Sequence, residues 1–166
     1  MSSGGSISDY RGTTGAVNWI EGPGGELFIE MYNDTGAALS NGGVYIIDWT
    51  DDADSKGYYP TPGTAATEAT AIIEVVVVNN FPLSKTTIAD AEWGYFQFKG
   101  YCPAILIATG DMTDEQYMEV IDATAAATDD GATKTIGSFG IAKSAAVAAA
   151  LGTGYLFGDR VAVAAA

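Results

Sequence analysis

The groups able to do chemistry in this chain are nearly all carboxylates. Twenty-one Asp and Glu stand against seven Lys and Arg, there is no His, and a single Cys occurs at position 102. Without His, neither a Ser-His-Asp nor a Cys-His nucleophilic arrangement can be assembled. A His-containing zinc site is excluded for the same reason, and one Cys cannot supply a thiolate cluster. Cys102 sits in an apolar stretch with no cation beside it, so it reads as a buried structural thiol and not as a nucleophile. Acid pairs can serve a glycosidase, but twenty-one candidates single out no pair. No catalytic residue is predicted, and the chain is expected not to be an enzyme.

The densest acidic cluster, Asp48, Asp51, Asp52 and Asp54, invites a calcium test. Placing Asp52 and Asp54 on the first two EF-hand ligand positions puts Lys56 on the third and Gly63 where a bidentate Glu is needed. The motif is broken, so a solvated acidic loop is the expectation here and at Asp129-Asp130. Gly22-Pro23-Gly24-Gly25 is not followed by a helical phosphate-binding pattern and reads as a loop. No metal and no cofactor is expected.

The elements around these groups are strands. Residues 26–32 alternate in part. Asn33-Asp34-Thr35-Gly36 signals a turn, and 44–49 is a clear β run. Residues 51–67 read as a long loop in which Tyr58-Tyr59 can pair as a short edge strand. The run 70–78 holds Ile72, Ile73, Val75, Val76, Val77 and Val78, all β-branched, which suits a sheet buried on both faces. In the stretch 88–111, aromatic residues crowd 93–99 and predict one strand. Gly100 allows a bend, Cys102-Pro103 interrupts the ladder, and 104–108 predicts a second strand. Thr113-Asp114 is expected to cap a short helix reaching residue 121. A loop is predicted over 123–134, a strand over 136–143 and a final strand over 160–163. The segment 145–151 fits either state. The sum is an all-β or β-dominated domain, a small β-barrel or β-tulip-like unit with at most one short helix.

Length bounds the chain to one domain, or a domain with an arm, in its 166 residues. Residues 1–25 are rich in Gly and Ser and cannot form their own core. They are either a loose tail or an extended docking arm anchored by Tyr10, Val17, Trp19 and Ile20, and Trp19-Ile20 favours the arm. The compact β domain is then 26–166. The formal net charge is −14, which leaves too few cations to neutralise nucleic-acid phosphates and predicts repulsion from anionic membranes. No apolar run approaches the roughly 20 residues that span a bilayer. No basic-then-apolar leader opens the sequence, so synthesis in a cytoplasm is expected.

Three stretches taken in order carry a resemblance. They are Asn33-Asp34-Thr35-Gly36-Ala37-Ala38-Leu39-Ser40-Asn41-Gly42-Gly43-Val44-Tyr45-Ile46-Ile47, then Ile88-Ala-Asp-Ala-Glu-Trp-Gly-Tyr-Phe-Gln-Phe-Lys-Gly-Tyr-Cys-Pro-Ala-Ile-Leu, then Gly137-Ser-Phe-Gly-Ile-Ala142 with its closing strand. This series resembles the capsid decoration, or cement, proteins of tailed bacteriophages. The loop 51–67 and the segment 145–151 depart from that pattern. The resemblance implies a structural virion protein on the outer capsid surface. Such a protein binds between subunits of the major capsid protein, often as a homotrimer, and stabilises the shell. Contacts to the shell or within the trimer would fall to Tyr10, Trp19, Ile20, Trp49, Tyr58, Tyr59 and Tyr101. Simple core packing is the competing reading for such aromatics and is favoured for Trp93, Phe96 and Phe98. Two other functions stay open: a head-fibre or adhesin module gripping glycans through the loop 51–67, and a tail-tube subunit.

Overall fold

A computed structural model describes residues 18–33, 35–48, 59–62, 72–73, 75–79, 86–108, 111–121, 124–134, 137–158 and 161–162. Among the described residues there are fourteen strands and no helix. In chain order they are β1 (Asn18–Glu21), β2 (Leu27–Tyr32), β3 (Leu39–Ser40), β4 (Val44–Asp48), β5 (Tyr59–Pro62), β6 (Ile72–Ile73) and β7 (Val75–Val78). Then follow β8 (Thr87–Ile88), β9 (Trp93–Leu106), β10 (Tyr117–Ile121), β11 (Thr124–Gly131), β12 (Gly140–Ala142), β13 (Leu151–Phe157) and β14 (Val161–Ala162). Ten of them form one sheet in the order β11-β10-β12-β13-β9-β7-β4-β5, with β2 also paired to β9 and β1 to β2. The strand pairings are antiparallel. The ordered path begins at β11 and finishes at β5, so the sheet is open and the expected barrel does not close.

Two apolar clusters fill the space on either side of the central strands. Val44 and Ile46 of β4 and Val75 and Val77 of β7 belong to one, together with Cys102, Ile105, Met118, Phe139 and Leu156. Tyr45 and Ile47 of β4 and Val78 of β7 belong to the other, with Ile29, Met31, Ile88 and Phe96. Alternate residues of one strand thus enter opposite clusters, as the two-residue period of a pleated strand requires. Of the run 70–78 expected to be buried on both faces, Val75, Val77 and Val78 are so, while Ile72–Ile73 form the separate strand β6, paired with β14.

Elsewhere the structure corrects the sequence reading. The stretch 93–106 is one strand, not two. Gly100 bends it at φ 89°, and Pro103 is taken up in a bulge. There Gly154 pairs with Cys102 and Gly152 with Ile105, so Thr153 alone faces both Pro103 and Ala104. Pro103 therefore owes no ladder hydrogen bond. The short helix expected from Thr113 is the strand β10. Glu115 stands at φ 64°, outside the right-handed helical region, and Val120 and Ile121 favour extended backbone. The loop expected over 123–134 is largely strand β11, and Asp130 is its extra residue: Tyr117 pairs with Gly131 while Met118 pairs with Asp129. The strand expected over 136–143 shrinks to β12. Strand β13 lies in a stretch that carried no strand expectation. Tyr59 does open an edge strand, β5, while Tyr58 lies outside the described residues.

Of the segment read as an arm, the described part lies on the chain's own sheet. Strand β1 pairs along β2 from Asn18 opposite Glu30 to Glu21 opposite Leu27. The turn between them is Gly22-Pro23-Gly24-Gly25, with Gly22 N–H donating to the Glu26 carbonyl at 2.8 Å.

Candidate functional site

Strand β9 positions the site because three strands pair with it: β2, β7 and β13. Its first half is covered on both sides. Phe96 is fully buried, Phe98 packs against the second cluster, and Trp93 meets its cross-strand partner Tyr32 edge-on at 5.6 Å. Phe96 is a core residue, as expected, whereas Phe98 and Trp93 are half-buried at the border of the core. Beyond Gly100 the strand alternates, with Tyr101 outward and Cys102 inward.

The outward position of Tyr101 is fixed by a buried amide. Gln97 has no exposed surface. Its Nε2 donates to the carbonyls of Lys99 at 3.0 Å and Tyr101 at 2.7 Å, the two residues flanking Gly100. Its Oε1 accepts from Asn79 Nδ2 at 2.8 Å. Gly100 is required here, since a Cβ at that position would fall 2.9 Å from the Cα of Glu26. The bend is thus held by a side chain whose hydrogen-bonding groups are engaged on both ends.

Register then assembles a row. Tyr117 of β10 pairs with Ile141 of β12, Ile141 with Tyr155 of β13, and Tyr155 with Tyr101 of β9. Directly paired residues project from the same face of a sheet, so the four side chains run across four adjacent strands, roughly 14 Å at the usual strand spacing. Tyr101 and Tyr155 are 48% and 46% exposed, and Tyr117 and Ile141 are half-buried. Phe157 borders the row, its ring 6.1 Å from that of Tyr117, with Lys134 Nζ 4.5 Å above it. Leu151, 56% exposed, continues the same face of β13.

Behind the row, glycines let the inner face close. A Cβ on Gly154 would fall 2.7 Å from both Ile105 Cδ1 and Met118 Cε. The inner side is therefore filled by neighbours' long side chains, while the outer side of the same strands carries tyrosine.

Of the residues singled out from sequence, Tyr101 stands in this row. Ile20 is half-buried on β1. Trp19 and Tyr59 lie on β1 and β5 by their backbone. Tyr10, Trp49 and Tyr58 lie outside the described residues, as do Asp51, Asp52 and Asp54. Tyr117, Ile141 and Tyr155 were not singled out. The signal that could have found them is the alternation Leu151, Thr153, Tyr155, Phe157 against Gly152, Gly154, Leu156.

The titratable groups have structural surroundings. Cys102 is buried, donates to the Ala104 carbonyl at 3.3 Å, and has its thiol pushed up to about 12 by burial. Asp129 Oδ1 accepts the Gly131 N–H, and Asp130 accepts the Ser138 hydroxyl. Burial, then the charge of Asp130 and a hydrogen bond to it, raise the Glu119 carboxyl. Among the described residues no three His, Cys, Asp or Glu side chains come together to hold a metal.

No family model and no curated protein matches the sequence. Among solved structures, the chain is similar to the head fibre gp8.5 N base of bacteriophage phi29, at 13% identity and a TM-score of 0.43. The likeness covers 81% of this chain and 98% of that one.

Proposed function

We propose that this protein is a non-catalytic structural component of a bacteriophage head. It decorates the outside of the shell, binds between major capsid protein subunits as a homotrimer, and stabilises the particle. It engages neither nucleic acid nor membrane. The observation that carries the reading is the outward row Tyr117, Ile141, Tyr155 and Tyr101, with Tyr155 and Tyr101 exposed, on a chain of net charge −14. Tyrosine-rich apolar surface in solvent supports a protein interface, and the charge keeps the rest of the surface solvated. The three stretches similar to cement proteins supply the kind of partner. In this reading residues 1–17, ahead of the strand β1 that pairs on the chain's own sheet, add contacts to a neighbouring subunit.

The test is the copy number of the chain relative to the major shell protein in purified particles, by quantitative mass spectrometry. A ratio near one supports decoration. A handful of copies overturns it in favour of a fibre or adhesin, and absence from particles overturns the virion assignment altogether.

A further inference from the structure

Next to the tyrosine row lies a groove of about 190 Å³ lined by Pro23, Glu26, Phe28, Asn79, Tyr101 and Pro103. It forms where the β1–β2 turn, the end of β7 and the bulged half of β9 meet. Phe28 is buried, Pro23 and Pro103 are exposed, and Tyr101 belongs to both the groove and the row.

The Glu26 carboxylate and the Asn79 amide oxygen are the acceptors that line this groove. The Glu26 carboxylate folds over the turn and accepts the Gly24 N–H at 2.9 Å through Oε2. A Cβ on Gly24 or Gly22 would collide with it, so the glycines of the turn are what let the carboxylate sit there. Its other lone pairs remain open, and it makes no ion pair among the described residues. Asn79 gives its Nδ2 to Gln97, which leaves its amide oxygen as the free end. The neighbouring cation, Lys99, runs the stem of its side chain past Gly158, whose Cβ, if present, would fall 3.0–3.2 Å from it.

A site with an aromatic wall, apolar flanks, one carboxylate and one amide oxygen suits a donor-only cation. An anion would be repelled by the Glu26 carboxylate, the one charged side chain lining the groove. A guanidinium offers five donors and no acceptor, stacks on aromatic faces, and sheds its water more readily than an ammonium. Its charge complements both Glu26 and the −14 chain as a whole. We infer that this groove is the receptor for an arginine side chain of a protein partner, with the guanidinium against Tyr101, hydrogen-bonded to Glu26 and Asn79. This deepens the proposed function by naming the partner's chemistry, and rests on that reading only for the identity of the partner. The adjoining tyrosine row would cover the apolar surface around the anchor.

The test uses the isotopically labelled full chain, titrated with the peptide Gly-Gly-Arg-Gly-Gly and with the same peptide carrying lysine or citrulline. The arginine peptide is expected to shift the amide signals of Asn79, Gly100 and Tyr101 saturably. Lysine should bind more weakly and neutral citrulline not measurably. Glu26→Gln and Tyr101→Ala should each weaken the arginine peptide roughly three- to tenfold, while Tyr101→Phe retains it. Gln can still cap the turn and Tyr101 is exposed, so the unperturbed spectra of both variants report folding. Shifts of equal size with citrulline, shifts confined to other residues, or no shift at the solubility limit overturn the proposal. No shell enters this experiment, so its failure is separate from a failure of the copy-number test.

Discussion

Strand β9 has two halves with opposite characters. From Gly94 to Gln97 every residue is buried, with the sheet covered on both faces. From Tyr101 on, one face is buried and the other is wet: Tyr101 and Pro103 are exposed, whereas Cys102 and Ile105 have no exposed surface. The same sheet therefore serves as core in one half and as surface in the other. The transition is made by one bend at Gly100, locked by one buried amide, Gln97. Folding free energy should concentrate in the first half and association in the second, so substitutions in each half should move different observables.

The largest effect is expected from Phe96→Ala. The side chain is completely buried in the second apolar cluster, and truncation leaves a cavity that β4, β7 and β2 cannot all move to fill. A loss of about 3–5 kcal/mol is expected, read as a drop in the denaturant midpoint at unchanged slope. A cost below about 1 kcal/mol would mean that the first half of β9 is not the core the comparison makes it.

Gln97→Leu comes next and targets the junction. Leucine matches the volume but leaves the carbonyls of Lys99 and Tyr101 and the amide of Asn79 without their partner. Stranding buried polar groups costs about 1–3 kcal/mol. The variant should also free the bend, so amide exchange at Gly100 and Tyr101 should quicken more than at Phe96. Uniform quickening along β9 would show that Gln97 is only one more core residue.

The first half was legible in the sequence, while of the second only the strand from 104 was, and its neighbours β11 and β13 were not, for a physical reason. β2, β4, β7 and the start of β9 are dense in β-branched and aromatic residues, whose local preference and tertiary role agree. β11 is Thr-Ala-Ala-Ala-Thr-Asp-Asp-Gly and β13 is Leu-Gly-Thr-Gly-Tyr-Leu-Phe. Alanine and glycine weaken a strand reading, yet Gly154 of β13 is small because Ile105 and Met118 occupy the space its side chain would take. The helix expected from Thr113 to residue 121 gives way to β10, and Glu115 ahead of that strand stands at a positive φ that no propensity argument supplies. Tyr101 could be picked out as an exposed aromatic, but its row could not. The alignment of Tyr117, Ile141, Tyr155 and Tyr101 is a matter of register between strands far apart in the chain. No local window contains it.

Cys102 separates the two faces of the second half. Its thiol is pushed up to about 12 by burial. A group whose pKa is higher folded than unfolded contributes stability that is whole below the ordinary thiol range and is lost as pH rises toward the folded value. Native protein at mildly alkaline pH should therefore resist a thiol reagent, and labelling should proceed only through the small population of opened molecules. Phe96→Ala, in the other half, should accelerate that labelling in step with its loss of stability. Rapid labelling of the unmodified chain would mean that the inner face behind the tyrosine row is open to solvent.

The smallest effect on stability, and the sharpest test of the division, is expected from Tyr101→Ala combined with Tyr155→Ala. Both rings stand about half in solvent, and the two residues pair directly across β9 and β13. Exposed positions away from caps and special backbone usually change stability by no more than about 0.5 kcal/mol each, so the double variant should melt close to the parent. Association should respond instead, because aromatic side chains at the centre of an interface carry a disproportionate share of its free energy. Sedimentation of parent and variant with purified shells reads that directly. If the double variant bound like the parent and unfolded several degrees lower, the row would be a cross-strand brace of the open sheet. The outward half of β9 would then be doing the same work as the buried one.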